Sequence, residues 1–146
     1  MPLMPSSMKY WWIWNRLPRK RKIKLIGNCK DTTMVGSDIL IYRMVYNLVE
    51  NAIKYNHFGG QVTVTAYRSG KNICLSIEDT GSGIPPELKE RIFEPFFRVD
   101  KSRSRQLGGV GLGLALVREI VRVHDGRITV QSSPSGGTIF EVVFTQ

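Results

Sequence analysis

The stretch Val62-Thr-Val-Thr-Ala66-Tyr67, then Ser69-Gly-Lys-Asn72, then Ile73-Cys-Leu-Ser-Ile77, decides the fold. Val62, Val64 and Ala66 alternate with Thr63, Thr65 and Tyr67, and Ile73, Leu75 and Ile77 repeat the same period of two. Side chains on a strand point alternately to opposite faces, so this period marks two strands buried on one side. The Ser-Gly-Lys-Asn segment supplies turn chemistry, which makes the pair an antiparallel hairpin.

Downstream, Gly81 to Pro86 reads as a loop, and Pro86-Glu87 opens a short helix reaching about Phe93. Residues 94–110 are rich in Arg, Ser and Gly without periodicity, and a mobile lid is expected there. Leu112, Leu116, Ile120 and Val123 return to helical spacing, and a last hairpin pairs Arg127–Ser132 with Thr138–Phe144 across Pro134-Ser-Gly-Gly137. Upstream, Gly36-Ser37-Asp38 is N-cap chemistry for a helix running to about Tyr55. Its apolar positions Leu40, Ile41, Met44, Val45, Leu48 and Ala52 recur at amphipathic spacing. Lys22–Ile26 and Thr33–Val35 read as short strands. Hairpins plus three helices of this kind predict an α+β fold: a two-layer sandwich whose mixed, mostly antiparallel sheet is covered on one face.

The length of 146 residues suits one domain, spanning residues 22–146 after a lead-in at 1–21. The net charge of +9 invites a nucleic-acid reading, but eight of the 21 Lys and Arg lie in residues 1–30, where there is no acid. Beyond them 13 basic residues face 12 acidic ones, so the domain itself carries no nucleic-acid signature. The lead-in sets Tyr10-Trp-Trp-Ile-Trp14 before Arg19-Lys-Arg-Lys22, the wrong order for a signal peptide. An aromatic cluster beside a basic run suits a membrane surface or RNA; a disordered or adventitious lead-in is the simpler account. No apolar run approaches the roughly 18 residues that span a bilayer, and the fragment reads as soluble and cytoplasmic. Cys29 and Cys74 form neither a disulfide framework nor a metal site.

Three segments carry chemistry. Asn47 and Asn51 are poor helix formers, yet both stand mid-helix, four apart, with Lys54 extending their stripe. Carboxamide oxygens and an ammonium on one edge suit a hard cation and a polyphosphate, and equally a solvated helix face. Asp79-Thr-Gly-Ser-Gly83 puts a carboxylate at the end of a buried strand before two glycines. That arrangement suits a pocket accepting a hydrogen bond from an exocyclic amine, and it also suits a plain turn. Gly108-Gly-Val-Gly-Leu-Gly-Leu114 runs into a helix, and glycines ahead of a helix N-terminus expose amide N–H groups to phosphate. A Rossmann turn is excluded because the basic, aperiodic residues 98–107 stand where a strand is needed. A Walker A loop is excluded because Thr65 replaces the required glycine ahead of Gly70-Lys71. Arg98, Lys101, Arg103 and Arg105 lie on the lid, where some would reach a terminal phosphate and others only solvent.

Together these segments resemble the ATP-binding domain of the GHKL superfamily, with its Bergerat fold, shared by histidine kinases, gyrase-type topoisomerases, Hsp90 chaperones and mismatch-repair ATPases. Their order is similar to the sensor histidine kinase version. Asn47 to Tyr55 resembles the N box, Asp79 to Gly83 the G1 box, Phe93-Glu-Pro-Phe-Phe-Arg98 the F box and Gly109 to Gly113 the G2 box, with Gly136-Gly-Thr138 a further glycine element. The resemblance covers about residues 31–146. It implies ATP and magnesium, with Asn51 the principal metal ligand and Asn47 beside it. Lys54 and Tyr55 would flank phosphates and base, and Asp79 would read the adenine amino group. Gly81 and Gly83 would line the base pocket, with Ile84, Phe93 and Thr138 also at the nucleotide. Gly109, Val110, Gly111, Leu112, Gly113 and Leu114 would close on the phosphates, with Lys101 at the nucleotide and Arg98 placing the γ-phosphate.

A carboxylate that takes a proton from the nucleophile helps ATP hydrolysis and serine phosphorylation. The ATPase and anti-sigma serine-kinase branches carry Glu where this chain has Asn47, which cannot act as such a base. A neutral imidazole needs none, so Asn47 favours histidine as the acceptor. Glu50, three residues on, is the alternative carboxylate that would instead serve an ATPase. Neither His57 nor His124 stands in the His-Glu context of an acceptor helix. The resemblance therefore implies a catalytic domain acting on a histidine-bearing dimerisation domain outside this chain, upstream of a response regulator, in a membrane-anchored parent. A non-catalytic ATP-binding regulatory module is the alternative of another class.

Overall fold

The computed structural model describes residues 23–29, 34–97 and 113–145. Five strands and two α-helices follow in the order β1 (Lys24–Cys29), α1 (Asp38–Lys54), β2 (Gln61–Ser69), β3 (Asn72–Asp79), α2 (Gly113–Val123), β4 (Arg127–Ser132) and β5 (Thr138–Thr145). They build one sheet in the order β1-β2-β3-β5-β4, parallel between β1 and β2 and antiparallel elsewhere. The α+β sandwich expected from the hairpins is what forms. Along β2 and β3 the residues facing the helices, Val62, Val64, Ala66, Ile73, Leu75 and Ile77, are buried, while the threonines and serines between them take the other face. Phe140, Val142 and Phe144 of β5 continue that apolar face. Each such side chain contributes about 1.5–3 kcal/mol by leaving water.

Three local expectations are corrected. The first strand runs on to Cys29 because it pairs in parallel with β2 from Lys24↔Gln61 to Cys29↔Ala66, so its partner sets its length. Met34 and Val35 form no strand but a bend leading into the cap of α1, and Thr33 lies outside the described residues. In place of one short helix there are two 3-10 turns, Pro86–Leu88 and Arg91–Phe93. Pro95 disfavours helical backbone at the residue before it, and Glu94 is extended at ψ 139°. Thus two α-helices cover the sheet among the described residues, with Ile92 and Phe93 of the second turn filling the third place against α2.

The α1 cap forms as the sequence predicts: Ser37 Oγ accepts from the Leu40 N–H at 3.3 Å, and Asp38 adds a negative charge in the first turn. Its buried face is Ile41, Met44, Val45, Leu48, Val49, Ala52 and Ile53. On α2 the expected stripe is rotated. Val117, Ile120 and Val121 are buried, whereas Leu116 and Val123 are 42% and 54% exposed. Arg118, Glu119 and Arg122 hold the solvent side, and the apolar arc opposite them is wider than the contact, so packing against α1 buries its centre and leaves Leu116 and Val123 at its edge.

His124 ties the two helices together. Its Nε2 accepts from the Ser37 N–H at 3.1 Å, and its Nδ1 lies 2.8 Å from the Ile120 carbonyl, so the proton sits on Nδ1. Its ring also meets Phe144 edge-on at 6.1 Å. We expect His124→Ala to lower stability by about 1–3 kcal/mol, since the Ser37 N–H loses its partner. Urea denaturation at constant pH reads this directly, and an unchanged midpoint would show that the tie carries no energy.

Candidate nucleotide-binding site

Asp79 closes β3 and is 7% exposed. Its Oδ1 accepts two backbone N–H groups, from Gly81 at 2.9 Å and from Thr138 at 3.2 Å. Among the described residues Oδ2 has no partner. Burial pushes the carboxyl above its ordinary value, and the two N–H donors pull in the other direction without cancelling it. A carboxylate so placed can accept one further hydrogen bond from a group entering the site.

Three chain segments converge on this carboxylate, and they meet backbone to backbone. A methyl group at Gly81 would overlap the Tyr55 carbonyl at the end of α1, and one at Gly137 would overlap the carbonyl of Asp79 itself. Glycine is therefore obligatory where the turn of the β4–β5 hairpin meets the end of β3 beside it, a role that the sequence pattern Gly136-Gly-Thr138 marked without explaining. Thr138 is buried, and its contribution to Asp79 is the backbone N–H. Gly83 and Ile84 follow on the same loop, Ile84 resting partly buried on the core.

Asn47 and Asn51 lie on the rim of α1, half-buried beside Leu48 and Ala52. Among the described residues neither carboxamide makes a hydrogen bond. Lys54 closes the last turn, and its Nζ stands 3.2 Å from Glu50 Oε1. Tyr46 hydrogen-bonds Glu50 from the other side; burial, then the Glu50 charge, push its hydroxyl up. Glu50 is thus engaged from both directions, and Tyr46, which the sequence reading passed over, belongs to this stripe. Tyr55 forms the helix C-cap. Among the described residues there is no cluster of three His, Cys, Asp or Glu able to hold a metal. A cation at α1 would rest on carboxamide oxygens, a donor set that fits magnesium with its retained waters and phosphate partners.

Phe93 is placed in the core, edge-on to Phe140 at 6.3 Å, and so supports this region from beneath. Gly113 and Leu114 form the first turn of α2, with Leu114 packed on the core. Arg98, Lys101, Gly109, Val110, Gly111 and Leu112 lie outside the described residues. The structure brings the end of α1, the Asp79 loop and the β4–β5 hairpin together, and α2 packs against α1.

Comparison with known proteins agrees with this arrangement. Residues 36–146 match the family described as histidine kinase-, DNA gyrase B-, and HSP90-like ATPase. The sensor-like histidine kinase SenX3 of Mycobacterium bovis is 47% identical over 107 residues, 73% of this chain and 26% of that protein. This chain thus spans about a quarter of the length of that relative. The mycobacterial sensor histidine kinase MprB superposes with a TM-score of 0.79 at 32% identity, covering 90% of each chain. The catalytic domain of histidine kinase ThkA does so at 0.78 and 28%, covering 93% of this chain and 88% of that one. ThkA has also been seen in complex with the response regulator protein TrrA. With a family match across residues 36–146 and the fold shared with solved histidine kinase domains, this chain belongs to the histidine kinase-, DNA gyrase B-, and HSP90-like ATPase family.

Proposed function

We propose that this chain is the ATP-binding catalytic domain of a two-component sensor histidine kinase, and that it delivers the γ-phosphoryl group of ATP to a histidine on a separate dimerisation domain. The observation that carries this reading is Asp79: a buried carboxylate with one oxygen satisfied by backbone and the other without a partner among the described residues. In this reading Oδ2 accepts from the adenine amino group. Gly81, Gly83, Ile84 and Thr138 shape the base pocket, and Phe93 backs it from the core. Asn51 and Asn47 hold magnesium, which when bound would neutralise charge on the phosphates. Lys54 and Tyr55 flank the nucleotide. Gly113 and Leu114 present the positive end of α2, with Arg98, Lys101 and the glycines 109 and 111, together with Val110 and Leu112, acting from the lid.

The chemistry left to the chain is positioning and electrostatic stabilisation. A neutral acceptor imidazole attacks the γ-phosphorus, the bond to the β–γ bridging oxygen breaks, and ADP departs. No proton need be removed first, which agrees with Asn47 at the place where the hydrolytic branches carry Glu. Glu50 is held by Lys54 and Tyr46, which favours a role in placing Lys54 over one as a free base. We further propose that the parent protein is anchored in a membrane with this domain on the ATP-containing cytoplasmic side, and that a response regulator receives the phosphoryl group. No helix among the described residues is long and apolar enough to cross a membrane.

Calorimetric titration with a non-hydrolysable ATP analogue tests the site. We expect saturable binding that Asp79→Asn weakens by about tenfold or more, the loss of a charge-assisted hydrogen bond. Asn51→Ala is expected to flatten the magnesium dependence. Absence of binding by the folded wild type would overturn the reading.

Stability should move the other way. Burial raises the proton affinity of Asp79 in the folded state, so its protonated form stabilises the fold below the ordinary value of 3.8. That contribution is lost as pH rises through the folded-state value, and at neutral pH the ionised group is a cost. Asp79→Asn is therefore expected to raise Tm at pH 7, with the gain shrinking as pH falls toward 3.8. A lower Tm at pH 7 would mean the carboxylate is a net stabiliser.

Transfer itself is tested by supplying a histidine-bearing dimerisation domain with ATP and magnesium. Acid-labile phosphate on that domain is the expected product, and ATP binding without transfer to any acceptor would favour a regulatory module.

A further inference from the structure

Asn56 directly follows the helix that carries Asn47, Asn51 and Lys54, and in the sequence it reads as a plain turn residue. In the fold it is 0% exposed. A buried carboxamide is costly unless its polar atoms are bonded. Here Nδ2 donates to the Gln61 carbonyl at 3.0 Å, and Oδ1 accepts from the His57 N–H at 2.9 Å and from the Thr80 hydroxyl at 3.1 Å. Thr80 Oγ1 in turn accepts from the Gln61 N–H at 2.9 Å, and the Thr80 N–H donates to the Gln61 carbonyl at 3.2 Å. One side chain thereby joins three places: the end of α1, the first residue of β2, and the residue immediately after Asp79. The packing leaves no slack, since a methyl at Gly60 would overlap Asn56 Oδ1.

We infer that Asn56, acting through Thr80, is a positioning residue that sets where Asp79 stands relative to α1. The inference rests on the ATP-binding reading above and deepens it. In that reading Asp79 takes the base and α1 takes the metal and phosphates, two ends of a ligand whose span is fixed by its own covalent bonds. The protein must hold the two recognition elements to within about 0.5 Å of the matching separation. In this reading Asn56, fully buried, does not touch the nucleotide, and Thr80 acts through its hydroxyl bond to Asn56. Their effect passes through the carboxylate at Asp79 and the Asp79–Gly81 turn. This assigns a reason to the second position of Asp-Thr-Gly-Ser-Gly: a hydroxyl that is at once donor to Asn56 and acceptor from Gln61.

The test uses the 146-residue chain, with the non-hydrolysable ATP analogue as probe. Thr80→Val keeps the shape and removes the hydroxyl; Thr80→Ser keeps the hydroxyl. Thr80→Val is expected to weaken binding about tenfold, as Asp79 shifts when the hydroxyl bonds to Asn56 and Gln61 are lost, with Thr80→Ser within about twofold of wild type. A double-mutant cycle separates positioning from general destabilisation. If Thr80 acts through Asp79, then Asp79→Asn costs clearly less affinity in the Thr80→Val background than in the wild type. Asn56→Ala is expected to behave as Thr80→Val does; if it fails to fold, the Thr80 pair decides. Variants that melt earlier but bind as wild type, or strictly additive losses, would overturn the inference and leave the ATP site standing. A folded wild type that binds no analogue would instead remove the reading on which the inference rests.

Discussion

The backbone N–H groups of Gly81 and Thr138 both donate to Oδ1 of Asp79, and the fold is arranged so that they can. The first comes from the loop that leaves β3 and the second from the start of β5, 59 residues beyond Asp79. Holding both at once requires that β5 pair beside β3 up to its end, with Gly137 pressed on the Asp79 carbonyl. It also requires the loop after Asp79 to turn under the last carbonyl of α1, which Gly81 permits. A single half-satisfied, desolvated carboxylate thus dictates which backbones touch, and those contacts in turn draw three elements into one site.

Such a carboxylate is an expense in the folded state at neutral pH, and strained or desolvated groups of this kind concentrate where ligands are bound. The surrounding structure offsets the cost with a continuous core. Val62, Ile77 and Phe140 lie beneath the site, and Phe93 stacks edge-on to Phe140.

On α1 two neighbouring stripes divide the work. Tyr46, Glu50 and Lys54 satisfy one another along the helix surface, so the carboxylate is committed. Asn47 and Asn51 are left unengaged among the described residues, neutral oxygens at a rim whose buried side is fixed by Leu48 and Ala52. In the proposed reading a committed acid beside two open amides suits phosphoryl transfer rather than hydrolysis, a distinction the fold does not make, because the same fold serves several ATPases.

The period-two runs at residues 62–77 and the amphipathic run at 38–55 determined the layers and the sheet-facing side of α1, because burial of alternate or every-third-or-fourth side chain is a local property of the chain. The motif spacing likewise singled out Asp79, Asn47 and Asn51 as candidates for the chemistry. The apolar side of α2, opposite Arg118, Glu119 and Arg122, was legible, but not which part of that wide arc is buried, since only packing against α1 selects Val117, Ile120 and Val121 over Leu116 and Val123. Nor was the length of β1, which its partner strand sets. The burial of Asn56, the commitment of Glu50 and the closeness of Gly137 to Asp79 were likewise decided by tertiary structure. Each depends on groups brought together from distant parts of the chain or on burial that only the assembled sandwich provides, and a side chain's partners, unlike its period, are not written in its neighbours.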